Sequence, residues 1–67
     1  MSRKVTYPKA GEIWSLELVN GVINHYLFLE QIPENPCHLK ALNLLTGARR
    51  EIVVWSEDIR LGYWRKV

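Results

Sequence analysis

The dipeptide Asn20-Gly21 lies between two apolar runs, and that placement is the strongest short-range signal for a β-hairpin. Both residues tolerate the positive φ that a tight reversal needs. Before it, residues 12–18 read Glu-Ile-Trp-Ser-Leu-Glu-Leu. Trp14, Leu16 and Leu18 fall on one side and Ser15 and Glu17 on the other, the period of two of a strand with one buried face. After it, a second strand is predicted over residues 22–32. Its centre is Tyr26-Leu27-Phe28-Leu29. Four large apolar residues in succession predict cover on both faces, as in a bent strand shared by the two sheets of a small barrel.

Pro33 and Pro36 end that strand. Residues 37–46 admit two readings. Leu, Ala and Lys favour a helix that Asn35-Pro36 could open and Gly47 could close, with Leu39, Leu42 and Leu45 spaced by three. A strand pairing with the β-forming run Ile52-Val53-Val54-Trp55 through a Thr46-Gly47 turn is the alternative, and it supplies the strands a sheet needs. The strand is therefore predicted, followed by another over residues 50–55. Ser56-Glu57-Asp58 then reads as a helix start: Ser56 as N-cap, with two acids suited to the first-turn dipole. Leu61-Gly62 limits it to one turn before a last strand at residues 63–67. Predicted core residues are Trp14, Leu16, Leu18, Leu27, Leu29, Ala41, Ile52, Val54 and Ile59, with Leu42 or Leu44 joining according to register.

Sixty-seven residues make one small domain, read as an arm at residues 1–10 and a folded unit at 11–67, with Pro8 and Gly11 bracketing the turn between them. A chain of this size buries only about 60% of its unfolded surface, so it needs a tight core or a partner. A single cysteine, Cys37, rules out an intrachain disulfide; with no apolar leader at the start, the expectation is a cytoplasmic protein. The longest uncharged stretch, residues 18–29, is broken by Asn20, Gly21, Asn24 and His25, too polar for a membrane helix, and no membrane partner is expected.

Five short strands with one helical turn before the last resemble, in element order, a Src-homology-3-like small β-barrel. The fold class predicted is therefore all-β, a five-stranded barrel of that kind. Tyr26-Leu27-Phe28-Leu29-Glu30, followed by the hairpin sequence Leu39-Lys40-Ala41-Leu42-Asn43-Leu44-Leu45-Thr46-Gly47, is similar to small uncharacterised barrel proteins encoded by bacteriophages. That resemblance implies an accessory or inhibitory role and brings no catalytic residues. Gly11-Glu12-Ile13-Trp14 resembles the opening of messenger-RNA-cleaving toxins of the MazF and PemK type. The chain departs from that family at its first turn, which lacks the basic, proline-containing loop, and it lacks the added helices.

Cys37 and His38 are adjacent, so on a strand they point to opposite faces and cannot easily share a metal; no metal or cofactor is expected. The glycines are isolated and form no phosphate loop, and Glu57-Asp58 reads as helix-start acids, so the chain is read as non-enzymatic. The candidate binding residues are Arg49, Arg50, Arg60, Tyr63, Trp64, Arg65 and Lys66. One ring of Tyr63-Trp64 should be exposed beside cations, and Trp64 is the expected anchor. Aromatics with arginine mark protein-interface hot spots. They also hold single-stranded nucleic acid by stacking and phosphate contact. The net charge is only +2 and no basic stripe is evident in the sequence, and bare edge strands with seven aromatics are hard to hide in one small core. The function expected is docking on another protein, by strand addition or as a homodimer. The alternative is a nucleic-acid-binding barrel resembling KOW modules, and the remote one a ribonuclease toxin.

Overall fold

The computed structural model describes residues 5–67; the first four residues of the expected arm lie outside the described residues. The elements are β1 (Ile13–Glu17), β2 (Ile23–Gln31), β3 (His38–Asn43), β4 (Arg49–Val53), α1 (Ser56–Arg60) and β5 (Trp64–Lys66). All strand pairings are antiparallel, and the strands lie in the order β4-β3-β2-β1-β5. The fold is therefore mostly β, and the strand predicted within residues 37–46 is observed. The closed barrel is not: β4 and β5 end the sheet without pairing to each other.

The first hairpin explains how the faces of the sheet are set. Only Gly21 has positive φ there, at +85°. Its N–H donates to the Leu18 carbonyl at 2.9 Å, and the Leu18 N–H donates to the Val22 carbonyl at 2.8 Å. Asn20 contributes its side chain, whose Oδ1 accepts from the Val22 N–H at 3.1 Å. The loop thus spans three residues, Val19 to Gly21, and not the Asn-Gly pair alone. Three loop residues pair Trp14 with Tyr26 and Ile13 with Leu27. A two-residue loop would shift the register by one and place Leu27 opposite Trp14. Hence Tyr26 and Phe28, not Leu27 and Leu29, enter the core.

The core is Trp14, Tyr26, Phe28, Leu39, Ala41, Val54 and Trp64, with Tyr7, Leu16, Ile52 and Ile59 packed against it. Phe28, Leu39 and Val54 are fully buried, each worth about 1.5–3 kcal/mol relative to exposure. From β5, Trp64 reaches across β1 to the rings of Tyr26 and Phe28, with centroids 5.8 and 5.7 Å away. Against expectation, Leu18, Leu29 and Leu44 are exposed, and Leu27 and Leu42 only half-buried. A bulge at Leu29, between the pairs Phe28–Ala41 and Glu30–Lys40, takes that residue out of alternation. The second cover expected over β2 is absent among the described residues, since the outer sides of Ile13 and Leu29 remain open to solvent.

Ser56 does not cap α1. The helix begins at Ser56 itself, Trp55 holds the N-cap position, and no side chain caps it. Glu57 and Asp58 do occupy the first turn. At the other end Gly62, at φ +86°, lets the Tyr63 N–H donate to the Asp58 carbonyl at 2.9 Å and its own N–H to Ile59 at 3.1 Å. This paired C-terminal cap turns the chain sharply into β5.

Candidate binding surfaces

The seven candidate residues do not form one surface. Arg49 and Arg50 open β4, at one margin of the sheet. Arg60, Tyr63, Trp64, Arg65 and Lys66 lie on α1, its exit turn and β5, at the other margin. Three strands separate the two groups in the sheet.

At the β5 margin most of the chemistry is spent on structure. Trp64 is 3% exposed, so it is a core ring and not the expected surface anchor; Tyr63, at 43%, is the exposed member of the pair. Parity decides this: Trp64 pairs with Leu16 on the inner face. Arg65 donates Nε to the Gly62 carbonyl at 3.0 Å. Lys66 Nζ sits 3.0 Å from Glu12 Oε2. The other oxygen of Glu12 accepts from Trp14 Nε1 at 3.1 Å and from the Lys9 N–H at 2.9 Å. These contacts, the Trp14 bond first, hold the Glu12 carboxyl at about 2, below its ordinary 4.5.

At the β4 margin the same residue types are left free. Among the described residues, Arg49 and Arg50 have no carboxylate within ion-pair reach; the nearby acids Glu30 and Glu51 pair instead with Lys40 at 3.5 Å and His38 at 3.2 Å. A shallow depression of about 560 Å³ is lined by Leu29, Glu30, Lys40, Arg49, Arg50 and Glu51. Beyond the strand, Trp55 is 63% exposed. Sequence reasoning missed Trp55, although the signal was present: with Ile52 and Val54 facing the core, alternation sends Trp55 outward.

A third region is built by two hairpin loops. Antiparallel order brings the β1–β2 and β3–β4 loops to one end of the sheet, where the Leu44 N–H donates to the His25 carbonyl at 3.0 Å. Residues 18–23 and 44–47 contain no charge. Leu18, Val19, Val22, Ile23, Leu44 and Leu45 are all exposed there, Leu45 to 85%. Two clefts flank the first hairpin. One, of about 340 Å³, is lined by Leu16, Glu17, Leu18, Val19, Asp58 and Tyr63. The other, of about 320 Å³, is lined by Ile23, Asn24, His25, Leu44 and Leu45. Scattered apolar residues on a surface are ordinary; six at one pole with no charge among them form a patch of the kind that marks a contact site. The uncharged loop stretches were the available signal.

Cys37 lies just before β3 and its thiol donates to Asn35 Oδ1 at 2.8 Å. Among the described residues, no three of His, Cys, Asp and Glu come together as a metal-holding group. No helix among them is long and apolar enough to cross a membrane. No family model, curated protein or solved structure matches this chain.

Proposed function

We propose that this chain is a non-enzymatic binding module that docks on another protein, its scaffold a Src-homology-3-like barrel opened along the β4–β5 seam. Strand order and the helical turn before β5 support the scaffold reading. An accessory or inhibitory role of the phage type rests on the sequence resemblance. The observation that carries the docking reading is the uncharged apolar pole formed by the two hairpin loops. Covering such side chains on a folded partner removes aliphatic area from water at about 25 cal/mol per Å², and the hydrogen bonds within the two turns reduce the entropic cost of ordering them.

The test places a photo-crosslinking residue at Val19 or at Leu45 in the full chain, in extract of the cell that carries its gene. The captured protein is then purified and rebound to the pure chain. The expected result is direct binding that falls at least about tenfold in Val19→Ser/Leu45→Ser, the loss expected for about 1.4 kcal/mol of contact energy. Equal binding by wild type and variant would overturn the reading. The nucleic-acid alternative is separated by titrating single-stranded RNA and DNA at two salt concentrations. Saturable quenching of tryptophan that weakens steeply with salt would replace protein docking with phosphate-driven binding.

A further inference from the structure

The β3–β4 ladder has a fixed hydrogen-bond phase. The Asn43 N–H donates to the Ala48 carbonyl at 2.8 Å at one end, and the Val54 N–H to the Cys37 carbonyl at 2.7 Å at the other. Between them Ala41 faces Arg50 and Leu39 faces Ile52. In an antiparallel ladder, residues of a hydrogen-bonded pair turn both backbone groups toward each other, and the next residue turns both away. Ala48, Arg50, Ile52 and Val54 therefore face β3. The N–H and C=O groups of Arg49, Glu51 and Val53 point off the sheet, and none of these three N–H groups has a backbone acceptor outside the strand ladder among the described residues.

From this edge we infer a second docking surface, one that accepts an extended acidic segment as a sixth strand beside β4. The free backbone groups at Arg49, Glu51 and Val53 supply the ladder. The two arginines set the charge. Arg50 lies opposite Ala41 and Arg49 opposite Leu42, so their side chains leave the strand on opposite faces, while both residues border the depression beside Lys40 and Glu51. A strand with two consecutive carboxylates places one on each face, because successive side chains alternate. One carboxylate meets each arginine, which has no acid of its own. Opposite Ile52 and Val53 the same strand carries apolar residues.

A second copy of this chain fits the edge less well. Self-pairing centred on Glu51 sets Glu51 against Glu51, and centring on Arg50 sets Arg50 against Arg50, like charges directly opposed. Centring on Ile52 leaves all four arginines without a carboxylate. Nucleic acid would satisfy the arginines but would leave the backbone groups of Arg49, Glu51 and Val53 without their ladder.

The probe is the acetylated, amidated heptapeptide Thr-Val-Val-Thr-Glu-Glu-Ser, which laid antiparallel sets its two Glu against Arg50 and Arg49. It is titrated into the isotopically labelled full chain by NMR, to millimolar concentration at low salt. Slowed exchange of the Arg49, Glu51 and Val53 amides is expected, with the amides of Arg50 and Ile52 changing little in exchange rate. Replacing both Glu of the peptide with Lys should abolish the response. Arg49→Ala and Arg50→Ala should each weaken it about two- to fivefold, with dispersed spectra showing that both variants stay folded. Absence of protection, an equal response to the Lys peptide, or protection of the three amides in the chain alone would overturn the proposal. So would a single-stranded oligonucleotide that protects the same amides. Val19→Ser/Leu45→Ser should leave the titration unchanged, so failure here and failure of docking at the apolar pole are told apart.

Discussion

The two margins of the sheet carry nearly the same residue types and use them in opposite ways. At β5 the tryptophan is buried, the lysine pairs with Glu12 and the arginine bonds back to the Gly62 carbonyl. At β4 the following tryptophan is exposed and both arginines lack an acidic partner among the described residues. A basic-aromatic cluster in a sequence is thus no guide to binding until each side chain is placed on a face. Alternation and pairing decide whether a ring closes a core or stands in water.

Truncating the two tryptophans breaks or confirms this contrast most directly. Trp64→Ala should cost about 3–5 kcal/mol, a large share of the roughly 3–10 kcal/mol expected for a domain of this size. Trp55→Ala should stay within about 0.5 kcal/mol. Urea denaturation followed by circular dichroism measures both, and equal costs would erase the contrast. Next in size is Gly62→Ala. An added Cβ would meet only the Arg65 side chain, Nη2 at 3.5 Å and Nε at 3.7 Å, both ordinary contacts, so the cost is the backbone's positive φ. About 1–2 kcal/mol is expected, visible in the same denaturation curves and as faster exchange of the Tyr63 amide.

Glu12→Gln probes the charge side of the β5 margin. Folding lowers the Glu12 carboxyl from 4.5 to about 2. Its ionised form therefore stabilises the fold fully above pH 4.5, and that stabilisation is lost as pH falls toward 2. Wild type should exceed the variant in stability at pH 7, and the gap should narrow between pH 4.5 and 2; a gap independent of pH would show that the carboxylate charge is not what matters. Smallest is the stability effect of Arg49→Ala/Arg50→Ala, within about 0.5 kcal/mol. A larger loss in thermal melting would mean that β4 too uses its cations structurally.

Much of the secondary structure was legible in the residues. Period two over residues 12–18, the prolines at 33 and 36 and the run at 52–55 set strands whose observed limits lie within a few residues of those predicted. Gly62 closed the helical turn as expected. The face of β2 was not legible, because it depended on a single loop residue. Val19 joins the reversal, the register moves by one, and the core changes from Leu27 and Leu29 to Tyr26 and Phe28. For the candidate site, residue types were readable and positions were not: Trp64 was expected outside and Trp55 was overlooked.

Local chemistry by itself determined where this chain turns and which segments are strands outside residues 37–46, since φ preferences and alternation act within a few residues; that stretch, equally open to a helix locally, is a strand because it pairs on both sides, with β2 and β4. The tertiary structure alone decided which margin keeps its charges free, that the sheet stays open between β4 and β5, and that two uncharged loops meet at one pole. Those outcomes depend on register and strand order, which bring together residues far apart in sequence.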